Sequence, residues 1–535
     1  MQFNLADLFE SVADAIGDRE ALVCGDRRLT FGELEERSNR LANFLRERGV
    51  KAGDHIGLHT FNCSEFVEGM FAAFKLRAVP ININYRYVAK ELAYLVDNAD
   101  LVALISQREF APILDEGTAG CDALHTIILL EDGSSAAMKT TDAFDYDAVL
   151  AQSSAERNFE ERSGQDLFII YTGGTTGMPK GVMWRHEDVF FAGLQGGSPG
   201  GDPIERPEQL AESASDPDNA LSILPAAPFI HGAAQWGGLI CLFTGGKLVL
   251  QPGRSFDPDL VVQLCERERV NTITLVGDAM ARPIAEVLAA GNYDLEDMVA
   301  IASAGAVLSP AVKDQLQELL PDTMILNNFG ASETGHQGSA LPGEETGREG
   351  RPSFAMDETN TVLGEDMQPL TPGDGKIGKL ARSGRVPLGY YKDPVKTAER
   401  FVELDGVRWC IPGDFATIEE DGRITVYGRG SNCINSGGEK VFPEEVEEAL
   451  KSHPDVFDAL VVGLPDEKWM QRVAAVVQPR GTATPSLDDL QSHCRRHIAG
   501  YKVPRHLTLV DTIRRQPSGK PDYVWAKETA LNETV

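Results

Sequence analysis

Apolar positions along the first hundred residues switch repeatedly between a period near 3.6 and short unbroken runs, the signature of helices alternating with strands. From Thr30 onward, Leu34, Ser38, Leu41, Ala42 and Leu45 fall on one helical face, and Thr30 stands where an N-cap is wanted. Asp54 to His59 reads as a strand, Ser64 to Leu76 as a second amphipathic helix, and Val79-Pro-Ile-Asn-Ile-Asn84 leads out of the next strand. A helix near Lys90 to Asp97 and a strand at Leu101 to Ser106 repeat the rhythm. Strands separated by helices of about ten to fifteen residues predict parallel sheets with crossover helices.

The same pattern resumes after residue 219. Ala220 to Pro225, Gly246 to Leu250, Thr272 to Val276 and Val299 to Ser303 are strand-like, separated by helical stretches such as Asp257 to Glu268 and Ser309 to Leu320. Residues 196–219, rich in Gly, Pro, Asp and Ser, show no apolar period and read as a mobile excursion. From about residue 345 many glycines and short runs, including Gly378-Lys-Leu-Ala-Arg382 and Arg423-Ile-Thr-Val-Tyr427, suggest an antiparallel β unit. The C-terminal hundred residues then compress into helix Pro443 to Ser452, strands Asp458 to Val462 and Arg472 to Gln478, helix Ser486 to Ile498 and strand His506 to Val510. That is enough for a small α/β domain. The predicted architecture is α/β: a large N-terminal domain of packed mixed or parallel sheets with helices and a β-rich unit (1–428), a hinge (429–433), and a small mobile C-terminal α/β domain (434–535).

Within this frame one stretch is built to touch an anion. The buried-strand pattern Leu167-Phe-Ile-Ile-Tyr171 opens into Thr172-Gly-Gly-Thr-Thr-Gly-Met-Pro-Lys-Gly181. Gly173, Gly174 and Gly177 let the backbone approach a ligand closely, Thr172, Thr175 and Thr176 supply hydroxyl donors, and Lys180 supplies a cation. Met178-Pro179 between Gly177 and the lysine, and Gly181 after it, break the Walker pattern, which needs Gly-Lys-Ser/Thr leading into a helix.

Composition narrows the guests. A formal net charge of −31 argues against a nucleic-acid surface and for small-molecule chemistry. The eight cysteines include no Cys-x-x-Cys pair, so reduced thiols in a cytoplasmic protein are expected. The N-terminus lacks the basic and then apolar order of a signal peptide, and the most apolar run, Leu239 to Leu250, is interrupted by Thr244-Gly-Gly-Lys247, so no transmembrane segment is expected.

Four more stretches are polar without a packing reason: Asn327-Asn-Phe-Gly-Ala-Ser-Glu-Thr-Gly335, Trp409-Cys-Ile-Pro-Gly-Asp414, Gly428-Arg429 and Arg515-Gln-Pro-Ser-Gly-Lys520. Each alone is an ordinary turn. In this order, with the Thr/Gly loop and Gly438-Glu-Lys-Val-Phe-Pro-Glu-Glu-Val-Glu447, they resemble the adenylate-forming superfamily over almost the whole chain. That superfamily includes acyl-CoA synthetases, peptide-synthetase adenylation domains and beetle luciferase, and the sequence looks closest to fatty-acyl-CoA synthetases.

The resemblance implies a division of labour. Thr172 to Lys180 would hold the β- and γ-phosphates of ATP, and Glu333 would hold Mg²⁺. Ser332, in place of the usual Thr, would sit by the α-phosphate, with Asn327, Phe329 and Gly330 beside it. Ser303, Ala304 and Gly305 would cover adenine, Asp414 and Arg429 would bind the ribose, and Lys520 would neutralise charge at the carboxylate and α-phosphate. Rotation of the small domain would then present Gly437, Gly438 and Lys440 to CoA.

His231 matches the family's gate histidine, and Trp236, Val276, Gly277, Ala279 and Met280 would line an apolar acyl pocket, with Asp278 keeping an amino-acid substrate open. His493 and His497, with Cys494 beside them, read as a solvated helix face rather than a metal site. Ser431, Asn435 and Cys410-Ile-Pro412 depart from the family's usual residues. The expected activity is ligation of an apolar acid, a fatty acid or a bulky alicyclic or steroid-derived one, to CoA with ATP. A ligase loading a carrier protein and a non-catalytic ATP or AMP sensor stand as alternatives, and a homodimer stays open.

Overall fold

The computed structural model describes residues 1–139, 143–172, 178–306, 308–340, 353–436, 439–466, 470–516 and 519–532. Its first sheet has eight strands, in the order 389–390, 180–185, 167–172, 79–82, 55–59, 101–107, 126–130 and 144–145. Six are mutually parallel, as the early helix–strand rhythm predicts. Strand Lys180–Arg185 is antiparallel to Leu167–Thr172. The Thr/Gly stretch therefore joins two arms of a hairpin, and a strand follows it where a Walker loop would start a helix.

The second sheet begins with four parallel strands, Ile223–Pro225, Thr272–Leu275, Ala300–Ala304 and Met324–Ala331. It then continues antiparallel through Gly335–Ala340, Ser353–Met356, Ile424–Arg429 and Asp414–Ile418. The β-rich unit expected from the glycine-rich texture is thus an extension of the α/β sheet. The small domain is a separate five-stranded sheet led by the long hairpin Val456–Asp466 and Met470–Pro479, with its own core.

Local signals explain most elements. Thr30 caps helix Phe31–Glu47 in a reciprocal capping box with Glu33. Helix Leu5–Ile16 docks through apolar residues and through fully buried Lys75, whose Nζ lies 2.6 Å from Glu10 and 2.7 Å from Glu35. Arg162, 2.5 Å from Glu10, and Arg157, 2.9 Å from Glu35, complete the network.

Three expectations are corrected. Residues 196–219 are not an irregular excursion: they contain helix Glu208–Ser215, whose Leu210 and Ala214, one turn apart, are buried against the core. Helix Leu487–Cys494 stops before His497. His493 is not on a solvated face either: it is buried, its Nε2 2.8 Å from Ser452 Oγ and its Nδ1 3.0 Å from Arg496 Nη2. Helix Tyr523–Asn532, without an apolar period strong enough to read, packs Ala526 and Ala530 into the small domain.

Candidate active site

A cavity of about 830 Å³ opens where the two parallel sheets and the small domain meet. Its wall holds Thr172 and Lys180 from the hairpin, Gly305 after the third parallel strand, and Asn327, Phe329, Gly330, Ser332 and Glu333 from the fourth strand and its turn. Asp414 borders it from the antiparallel extension and Lys520 from the small domain. Ten of the residues expected to handle nucleotide therefore converge from five distant segments. Gly173, Gly174, Thr175, Thr176 and Gly177 lie outside the described residues, as do Gly437 and Gly438.

The hairpin register sets the Thr172–Lys180 end of the cavity. Thr172 stands opposite Lys180 across the ladder, which puts a hydroxyl and an ammonium on one face at the same level. Lys180 Nζ lies 3.1 Å from Asp393 and 5.5 Å from the Tyr390 ring centroid. Asp393 also accepts the backbone N–H of Lys396 as the N-cap of helix Pro394–Arg400. That bond first, and Lys180 with it, hold the Asp393 carboxyl below the usual carboxylate range.

Tyr390 donates its hydroxyl to Glu333 Oε1 at 3.0 Å, and burial together with that carboxylate raises the phenol. Magnesium, which the family resemblance implies, fits this donor set. Glu333 offers a hard oxygen donor on the cavity wall, and Mg²⁺ is characteristically held by one or two carboxylates plus substrate phosphates. Among the described residues no group of three or more His, Cys, Asp or Glu could cage a metal on its own.

Backbone constraints shape the next wall. A Cβ on Gly330 would lie 2.2 Å from the Gly335 carbonyl oxygen, so only glycine allows that turn to close beside Ser332. The Ser332 carbonyl accepts the buried Trp184 indole N–H at 2.9 Å. Asp414 is buried and pairs with Arg429 in the antiparallel ladder, which brings the two predicted ribose contacts onto adjacent strands. Cys410 is buried, and burial pushes its thiol well above the ordinary value, so the departure before Gly413-Asp414 is a packing residue.

The Lys520 turn belongs to the small domain. Gly519 donates its N–H to the Gln516 carbonyl at 2.9 Å with φ +79°, and Gln516 donates to the Lys520 carbonyl at 2.8 Å. Arg515 ties the turn down: it forms two-pronged contacts of 2.6–3.0 Å with Asp458 and donates to the Gly519 carbonyl at 3.2 Å. Burial alone would raise the Asp458 carboxyl, but the charges of Lys451 and Arg515 and the Arg515 hydrogen bonds outweigh it and hold it low. Lys520 projects toward the large domain, where a Cβ on Gly305 would lie 3.4 Å from its Cε.

The remaining predicted residues, Asp278 apart, do not border the cavity. Ser303 is fully buried, and its hydroxyl accepts the Gly277 N–H at 3.0 Å, which fixes the turn at Val276-Gly277. Val276 and Met280 form the packed wall under Gly519, with Gly277 and Ala279 beside them and Ala304 at the adjoining strand end. Trp236 stacks edge-on to Trp184 at 6.3 Å. His231 stands at the N-cap position of helix Gly232–Phe243, and a Cβ on Gly232 would stand 3.8 Å from Ser332 Oγ, so the expected gate adjoins the turn at Ser332. Asp278 borders the cavity, but its Oδ1 accepts the Ser309 N–H at 2.7 Å and Arg282 stands 3.8 Å from its Oδ2. Sequence reading missed Tyr390, Asp393, Asp458 and the anchoring role of Arg515. The Asp393-Pro394 pair announces a helix start, but no local signal reports contacts made across the fold.

The chain matches the model of AMP-binding enzymes over residues 9–391 and that of the AMP-binding enzyme C-terminal domain over residues 445–520. The protein belongs to the AMP-binding enzyme family. This AMP-binding enzyme is 48% identical over 537 residues to the 3-oxocholest-4-en-26-oate--CoA ligase of Rhodococcus rhodochrous, covering 99% of this chain and 96% of that one. It is 46% identical over 529 residues to the medium/long-chain-fatty-acid--CoA/3-oxocholest-4-en-26-oate--CoA ligase of Mycobacterium tuberculosis, covering 98% and 96%. Its fold resembles the crystal structure of the anthranilate CoA ligase AuaEII in complex with anthranoyl-AMP, with TM-score 0.85 at 22% identity and coverage of 99% and 98%. No helix among the described residues is long and apolar enough to cross a membrane.

Proposed function

We propose that this AMP-binding enzyme is an acyl-CoA ligase that uses ATP with Mg²⁺ to convert an apolar carboxylic acid to its acyl-adenylate and then to its CoA thioester, releasing pyrophosphate and AMP. The observation that carries the reading is the convergence of Thr172, Lys180, Glu333, Asp414 and Lys520 on one cavity. The first step joins two anions, a carboxylate and the α-phosphate, so position and positive charge are what the protein must supply.

Lys180 and the Thr172 hydroxyl address the leaving pyrophosphate, Asp414 accepts from the ribose hydroxyls, and Lys520 offsets charge at the reacting carboxylate and α-phosphate. Glu333, oriented by Tyr390, would hold Mg²⁺, which supplies charge neutralisation along the phosphates when bound. The boundaries 1–428, 429–433 and 434–535 give a hinge that can withdraw Lys520 before CoA attacks. His231, beside Ser332, would guard the path between acyl group and thiol.

The acid is an apolar one, a medium- or long-chain fatty acid or a steroid-derived acid, in a route of lipid breakdown or use. Two things support this: the names of the relatives at 46–48% identity, and the apolar character of Val276, Met280 and Trp236, which pack in one hydrophobic cluster. A cytoplasmic workplace suits the supply of ATP and CoA. The test is a panel of acids assayed for ATP-dependent pyrophosphate release, then for thioester with CoA or with an acyl carrier protein. Thioester on CoA from a fatty or steroid acid is expected. Transfer only to the carrier, or no pyrophosphate release with any acid, would overturn the reading.

A further inference from the structure

Asn82 ends the strand Val79–Asn82, is buried, and uses its whole side-chain amide. Its Oδ1 accepts the Tyr171 N–H at 2.8 Å, and its Nδ2 donates to the Tyr171 carbonyl at 2.8 Å and to the Ile230 carbonyl at 2.6 Å. Tyr171 is the residue before Thr172, and Ile230 is the residue before His231. One side chain thus grips the chain immediately before the phosphate hairpin and immediately before the expected gate.

The geometry explains why a side chain is needed here. Strands Val79–Asn82 and Leu167–Thr172 pair directly only at Ile81 and Ile169, so beyond that point the Tyr171 backbone groups face a strand that is ending. The carboxamide stands in for the missing ladder partner and reaches past it to the crossing segment at Ile230. A Cβ on Gly232 would lie 3.2 Å from Ile170 Cδ1, so the two segments run in contact with Asn82 tying both. An amide offers one acceptor and two donors in a fixed plane, and all three are spent on backbone groups that a shorter side chain could not all reach.

We infer that Asn82 is a positioning residue that sets the spacing between the phosphate hairpin and His231, and so acts on both half-reactions without touching either substrate. The inference rests on the function proposed above. A displacement of about 1 Å at groups that position reactants can cost about 10²-fold in rate.

The test measures kcat and KM separately for pyrophosphate release and for thioester formation from supplied acyl-adenylate, per folded molecule, in wild type, Asn82→Ala, Asn82→Ser and the same-strand control Ile81→Val. Asn82→Ala should lower kcat about 10- to 100-fold in both half-reactions, with smaller changes in KM. Asn82→Ser, which keeps one hydroxyl for one of the three partners, should fall between, and it carries the test should Asn82→Ala fail to fold. A purely structural asparagine would lower the melting temperature and leave kcat per folded molecule unchanged, as Ile81→Val should. Wild-type kcat in the folded variants overturns this inference alone, whereas a wild-type protein inactive with every acid overturns the proposed function.

Discussion

Replacing Arg515 by methionine asks how firmly the Lys520 turn is held. Arg515 and Asp458 are 14% and 12% exposed, and three contacts of 2.6–3.0 Å join them. Methionine keeps much of the length and apolar bulk, deletes the charge, and frees the Gly519 carbonyl. Asp458 is then left with Lys451, 3.6 Å away. Breaking a buried pair from one side costs about 3–5 kcal/mol, and the remaining lysine argues for the lower end, about 3 kcal/mol. The pH dependence follows from the sign of the shift. The Asp458 carboxyl is held low in the folded protein, so its contribution is present above the unfolded carboxylate value near 4 and is lost as pH falls through the lower folded value. The gap between wild type and variant should therefore be full near neutrality and shrink in acid. Hydrogen exchange of the paired amides in Val456–Asp466 reads this locally, which a global melt of a two-domain chain does not. Adenylation should fall alongside, while thioester formation from supplied adenylate is spared. Unchanged exchange protection with full adenylation would refute the anchoring role.

Lys520→Ala removes an exposed side chain, so stability should hold. Pyrophosphate release should drop by about 10²–10³ and thioester formation from supplied adenylate by no more than about twofold; equal loss in both would contradict the domain-alternation reading. Asp393→Asn keeps an oxygen to cap Lys396 and removes the charge that shares Lys180. Because both partners are about one-third exposed, the effect is modest: pyrophosphate should inhibit a few-fold more tightly and KM for ATP should fall, measured by product inhibition, and unchanged inhibition would sink the idea.

What was legible in the sequence was whatever short-range chemistry dictates. The period of Leu34, Leu41 and Leu45 and the Thr30 capping box fix helix Phe31–Glu47 with little tertiary help. Thr172, Lys180, Glu333, Asp414 and Lys520 stood out because each lies in a short polar motif of consecutive residues, and the fold brings them to one cavity. Glu208–Ser215 was not, because eight residues with only Leu210 and Ala214 inward give too short a period to separate from a Ser/Asp-rich loop. Asn82, Tyr390 and Asp458 were hidden for a different reason. Their partners lie 89, 57 and 57 positions away, and a buried Asn or a Tyr in a short strand looks the same in sequence whether it fills space or orients a polar group across the fold. Ser303 shows a further side: the packing role of its hydroxyl, which accepts the Gly277 N–H, is set by a residue 26 positions away.

Under the proposed function, the hairpin at Thr172 and Lys180 is a particular kind of phosphate grip. A Walker loop feeds a helix, and the helix N-terminus contributes fixed N–H groups and a permanent partial charge to the bound phosphates. Here the chain leaves in strand Lys180–Arg185, so that fixed field is missing on this side and the cationic charge comes from a side chain. A side-chain ammonium can be shared, and Lys180 is shared with Asp393, itself held ionised by the Lys396 N–H. As pyrophosphate departs, Asp393 can take the lysine back, which lowers the cost of letting go. A group that must leave in every cycle is better held by a cation with a second partner than by a dipole that cannot turn away.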